Sequence, residues 1–118
     1  LFVSRWDVGV KLEVAPTLHN RLGIAIAMRT YKAHGELQAS ARWQRLAAAG
    51  APTQRLLWAS TGTKDPAAPD TLYVQALAAP DAITRLTEKT FQAFADHGHV
   101  NAALPADGGY AERVMEEF

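Results

Sequence analysis

Between Arg55 and Pro66 the chain reads RLLWASTGTKDP, and this abrupt change from apolar to polar residues does most to limit the fold. Leu56, Leu57, Trp58 and Ala59 form a continuous apolar run, and hydroxyls, a glycine, a lysine and Asp65-Pro66 follow. A run without alternation suits a strand buried on both faces, as in a parallel sheet. Ligands of such sheets bind where the strands end, at their carboxyl edge. Ser60, Thr61, Gly62, Thr63 and Lys64 are therefore expected at a mouth, offering hydroxyls, backbone N–H groups and one cation. That chemistry suits an anion, phosphate foremost.

The rest of the chain alternates in kind. Residues 1–5 read as a strand with polar groups at its carboxyl end, and 7–16 as a connector closing on Ala15-Pro16. From Thr17 to His34 the spacing is helical. Leu18, Leu22 and Ile26 form one stripe beside Ile24, Met28 and Tyr31, a face wide enough to be buried on more than one side. Gly35 is the expected stop, and Ser40 the expected cap of a short helix carrying Trp43 and Leu46. A strand over 55–60 follows, then a helix over 71–79 capped by Asp70 and ended by Pro80. Residues 82–86 read as a further strand. Thr87 caps the next helix, with Leu86 and Phe91 spaced as a hydrophobic staple and a stop at His97-Gly98. Tyr110, Val114 and Phe118 recur every four residues in a last helix. Strands alternating with helices predict an α/β fold of βαβ units with a parallel sheet.

The 118 residues open inside a strand-like run and end without a helix stop, so the expectation is a single partial domain over 1–118, cut at both ends. Twelve basic and twelve acidic side chains cancel, leaving no footprint for nucleic acid. No apolar run approaches the roughly 20 residues that cross a bilayer. With no cysteine, disulfides and thiolate metal sites are excluded, which fits a reducing compartment, the cytoplasm.

Arg5 and Lys64 fall at the carboxyl ends of two strands, which in a parallel sheet point the same way. Arginine offers a planar fork to phosphate oxygens and lysine a point charge. The bland alternative is a pair of ordinary charges on a sheet rim. His97-Gly98-His99 suggests a metal pair, but the helix end favours capping, and no cysteine or carboxylate cluster completes three or four ligands. No metal site is expected. Lys32 and Lys89 read as solvated, and Lys11 has no evident partner.

FVSRWD at 2–7, NRLGIAIAMRTYKAH at 20–34, LWASTGTKDP at 57–66, DTLYV at 70–74, APD at 79–81 and ADHG at 95–98 together resemble the C-terminal part of bacterial transaldolases, most closely the longer form, including those fused to glucose-6-phosphate isomerase. LPADGG at 104–109 extends the likeness more loosely. The resemblance implies the C-terminal fragment of a (β/α)8 TIM barrel, with about three parallel strands and their helices. It implies transfer of a dihydroxyacetone unit from a ketose phosphate to an aldose phosphate, through a lysine Schiff base and without cofactor or metal. None of Lys11, Lys32, Lys64 and Lys89 matches the Schiff-base motif, so that lysine and its acidic partners are expected upstream and no catalytic residue is assigned within the chain.

Phosphate recognition does carry over. Arg5 matches the family's arginine at the end of the sixth strand, Ser60 its serine after the seventh, and Lys64 stands for a second arginine of shorter forms; Ser4 and Thr61 are weaker neighbours. The family's Asn-Thr-Met-Pro run before the last helix reads here as Ile83-Thr84-Arg85-Leu86-Thr87, a departure expected to alter the rim of the eighth strand. The partners implied are sugar phosphates. Three strands leave a barrel of about 250 residues open, and open edges invite oligomerisation. Two alternatives stand beside the enzyme: a non-catalytic phosphate-binding or assembly module built from a barrel fragment, and another lysine-dependent aldolase of the same superfamily.

Overall fold

A computed structural model describes residues 1–118. Helix α1 spans Ser4–Val10, a single 3-10 turn Pro16–Leu18, α2 Leu22–Ala39, α3 Ala41–Ala48, and strand β1 Leu56–Trp58. Helix α4 spans Leu72–Ala76, strand β2 Ala82–Thr84, α5 Glu88–His97 and α6 Ala111–Met115. The strands are parallel, with Leu56 opposite Ala82, Leu57 opposite Ile83 and Trp58 opposite Thr84. On the other edge of β1, Phe2 forms a parallel bridge to Ala59. The fold is therefore α/β with parallel pairing, and β1 lies between two extended neighbours.

One sheet face is covered. Trp58 is fully buried, and Leu56 and Ala82 pack against the same core as Val3, Ile24, Met28, Tyr73, Leu77 and Val114. Trp58 donates its indole N–H to the carbonyl of Leu77 at 3.1 Å, so its polar end is satisfied as its rings are buried. The opposite face is not covered. Phe2, Leu57 and Ile83 are 51%, 41% and 37% exposed. Side chains alternate along a strand, so the apolar run at 56–59, expected to be buried on both faces, meets core on one face only.

Two expected helix caps are present. The Ser40 hydroxyl accepts the N–H of Trp43 at 3.2 Å, and that of Thr87 accepts the N–H of Thr90 at 3.3 Å. Other boundaries differ. Residues 4 and 5 belong to a helix, not a strand: Val3, Ser4 and Asp7, spaced by one helical turn, turn inward together. The Asp7 carboxylate accepts the N–H groups of Leu22 and Gly23 at 2.9 and 3.1 Å and the Tyr73 hydroxyl at 2.7 Å. This carboxylate at its first turn starts α2 at Leu22 instead of Thr17, where an anion meets both free N–H groups and the helix dipole. A Cβ on Gly23 would lie 2.5 Å from Asp7 Oδ2 and 2.7 Å from the carbonyl of Val3, so only glycine admits this approach.

Helix α2 also runs through Gly35 to Ala39; Gly35 has open space around it, and the chain turns at Ser40, whose hydroxyl donates to the carbonyl of Leu37 at 2.6 Å. Asp70 does not cap α4, and the helix is shorter than expected. Phe91, expected to close a staple with Leu86, is 61% exposed and forms no buried staple. In α6 the buried residues are Ala111 and Val114, while Tyr110 and Phe118 face solvent.

Candidate functional site

Where β1 gives out, the backbone bends sharply. Ser60 takes φ = 52°, in the left-handed region that L residues seldom occupy and that clusters at functional sites. The bend is fixed on either side. Ser4 N–H donates to the carbonyl of Ser60 at 3.0 Å. The hydroxyl of buried Thr61 donates to the carbonyl of Arg85 at 2.8 Å, and Arg85 N–H to the carbonyl of Trp58 at 2.8 Å.

Downstream the loop is tied to three other elements. The Thr63 hydroxyl donates to the carbonyl of Pro69 at 2.7 Å. Asp65 accepts from Asn20 Nδ2 at 2.9 Å and from Ala67 N–H at 3.1 Å, and pairs with Lys11 at 3.5 Å. The Asn20 hydrogen bond, the Ala67 amide and the Lys11 charge hold the Asp65 carboxyl below its usual range. Lys11 therefore has a partner that its sequence position did not reveal.

These ties shape a cavity of about 370 Å³ at the carboxyl ends of the strands. Its wall is built from Phe2, Ser60, Thr61, Gly62, Lys64, Arg85 and Thr87 among others, and it contains two cations, three hydroxyls and no carboxylate. Lys64 takes part in no ion pair. Its Nζ would lie 3.7 Å from a Cβ on Gly62, an ordinary contact that sets the ammonium beside the Gly62 backbone. Of the sequence candidates, Ser60, Thr61 and Lys64 come together here. Arg5 does not line the cavity: it lies in α1, with its guanidinium carbon 4.1 Å from the centre of the Phe2 ring, a cation–π contact at the cavity edge. Ser4 is buried and contributes its backbone. Arg85 and Thr87 were not singled out from sequence. The signal was present in the departure at 83–87, which the β1–β2 register turns toward this wall.

His97 is not a free ligand. Its Nε2 lies 2.8 Å from Asp70 Oδ1 and its Nδ1 3.1 Å from Asp96 Oδ2, joining the end of α5 to the far end of the loop. The Asp70 hydrogen bond, then that of Asp96, raise the His97 pKa above its ordinary 6.5, and His97 lowers that of Asp70 below 3.8. For His97 the contribution to stability is full below pH 6.5 and is lost as pH rises through the raised value. For Asp70 it is full above 3.8 and is lost as pH falls through the lowered value. The tie is thus strongest between Asp70's lowered and His97's raised pKa. Asp70→Asn is expected to bring the His97 titration midpoint, followed by imidazole NMR, down toward 6.5; an unmoved midpoint would leave Asp96 as its only effective partner.

The family model described as Transaldolase/Fructose-6-phosphate aldolase matches residues 1–118. A protein named Transaldolase from Frankia alni is 47% identical over 106 residues, covering 84% of this chain and 29% of that relative. Its counterpart from Acidothermus cellulolyticus is 51% identical over 103 residues, 82% of this chain and 28% of the relative. Transaldolase 1 of Streptomyces avermitilis is 43% identical over 118 residues, 94% of this chain and 31% of the relative. The chain spans less than a third of the length of these curated relatives. No helix is long and apolar enough to cross a membrane.

Proposed function

The chain belongs to the transaldolase/fructose-6-phosphate aldolase family, and from that membership we propose that the protein is a transaldolase in which residues 1–118 supply the sugar-phosphate side of the active site. The full-length enzyme moves a dihydroxyacetone unit from a ketose phosphate to an aldose phosphate in the cytoplasm. One observation carries the assignment of this segment: a cavity at the carboxyl ends of parallel strands, with Ser60, Thr61 and Lys64 on its wall and no carboxylate to repel a phosphate dianion. Arg5, which the family resemblance assigns to phosphate, is stacked on Phe2 at the edge of that cavity and is placed at the rim of the site. The open face of Phe2, Leu57 and Ile83 supports these strands as part of a barrel whose other strands cover it.

The chemistry needs an amine. A lysine forms an imine with the ketose carbonyl, and the protonated imine withdraws the electron pair left when the carbon–carbon bond breaks. Within residues 1–118, Lys11 and Lys32 are paired with Asp65 and Glu36. Lys64 is assigned to phosphate, and Lys89 lies in the first turn of α5. None of the four matches the family's Schiff-base motif, so the imine lysine is assigned outside these residues, in the part of the relatives' length that the chain does not span. Treating the full-length protein with fructose 6-phosphate and borohydride is expected to trap a three-carbon reduced adduct on a peptide outside 1–118, while the isolated 118-residue chain gains none. An adduct on Lys11, Lys32, Lys64 or Lys89, or none on the full-length protein, would overturn the proposal.

A further inference from the structure

The geometry points to Arg85 as a phosphate-contacting, specificity-determining residue of this site, one that reads the phosphate of the sugar together with Lys64. Its placement follows from the sheet. Ile83 pairs with Leu57 on the uncovered face, and Arg85, two residues on, returns to that face just past the end of β2. There it forms part of the cavity wall with Phe2, Ser60 and Lys64.

Its backbone has little freedom. The N–H is bonded to the carbonyl of Trp58 and the carbonyl accepts the hydroxyl of Thr61, which is 2% exposed. Position 85 is thereby locked to the same Ser60–Gly62 bend that presents the hydroxyls. The guanidinium, by contrast, is uncommitted. Within residues 1–118 it enters no ion pair, and none of their acids lines the cavity. An always-charged fork on a fixed backbone, beside an unpaired ammonium and the Ser60 hydroxyl, matches a dianion with three oxygens. Arg5 is less well placed for this contact, since its guanidinium is engaged by the Phe2 ring. An unphosphorylated sugar would leave the Arg85 fork without a partner, so the loss on removing it should fall on phosphorylated substrates alone.

The inference rests on the phosphate-site proposal above, and the test separates the two. In the full-length protein, the dissociation constant of inorganic phosphate and the KM values of fructose 6-phosphate and of an unphosphorylated ketose are measured for wild type, Arg85→Gln, Arg85→Lys and Lys64→Gln. Arg85→Gln is expected to weaken phosphate binding and raise the KM of the phosphorylated sugar about tenfold or more, the scale of a lost charge-assisted contact. The loss on the unphosphorylated ketose should be clearly smaller than on fructose 6-phosphate, and Arg85→Lys should recover part of the phosphate-dependent loss. Unchanged phosphate affinity in Arg85→Gln with a loss in Lys64→Gln would overturn the role of Arg85 and leave the site standing. No loss in either variant would overturn both. An equal loss on both ketoses would mean that Arg85 supports the fold of the rim and does not read phosphate.

Discussion

Replacing Trp58 by alanine is expected to cost the folded protein about 3–5 kcal/mol, the range for removing a large aromatic from a packed core. The side chain is wholly enclosed, and its neighbours Val3, Tyr73 and Leu77 are themselves buried, so the void has no easy way to collapse. The carbonyl of Leu77 also loses its donor. Trp58→Phe would keep most of the volume and lose only the indole hydrogen bond, a change nearer about 1–3 kcal/mol. Denaturant unfolding of the full-length protein checks both. A midpoint for Trp58→Ala within error of wild type would mean that this strand is not a structural centre.

Asp7→Ala is the second large change expected. Asp7 is the single acceptor for two backbone N–H groups of α2 and for the Tyr73 hydroxyl, all buried. Hydrogen bonds to a charged group are worth about 1.5–3 kcal/mol each, and donors left buried without a partner add their desolvation cost. Because the three share one carboxylate, their loss is not a simple sum; about 3 kcal/mol or more is expected. Burial, then the bond to Asp7, hold the Tyr73 phenol in its protonated form far above the usual tyrosine range, so Tyr73 remains a donor throughout ordinary pH. Tyr73→Phe alone removes one bond. In a double-mutant cycle Asp7→Ala and Tyr73→Phe should show clear coupling, and independent effects would contradict the shared network.

What could be read from the sequence was local or periodic. The Ser40 and Thr87 caps involve groups three residues apart, so the motif and the contact coincide. The apolar break after Ala59 marked the end of β1 and placed Ser60, Thr61 and Lys64 at one mouth. What was missed depends on distant partners. Ser4 to Asp7 fold as a helix because Asp7 meets Leu22 and Gly23, 15 and 16 residues on, and Tyr73, 66 residues on. No pattern within 1–10 shows this, and it moves Arg5 from the end of a strand to a helix. Arg85 was missed for a related reason. Its face is defined only once Trp58 is set opposite Thr84, and pairing across strands is not written in either strand alone. The Leu86–Phe91 staple was misjudged because its spacing says nothing of whether other elements cover Phe91.

The central position of β1 has a consequence for how the chain assembles. Its two edges are closed over very different lengths of chain: the N–H of Val3 reaches the carbonyl of Ala59, 56 residues on, whereas Thr61 reaches Arg85 across 24. Loop-closure entropy grows only with the logarithm of length, so the longer closure is dearer by roughly 0.7 kcal/mol. Sequence distance therefore barely ranks the two docking events. Both neighbours pair with the same short strand, and that strand is held in place by Trp58 in its socket among largely helix-borne side chains. The socket around Trp58, more than the reach of either loop, therefore carries the energetic difference between a docked and an undocked sheet.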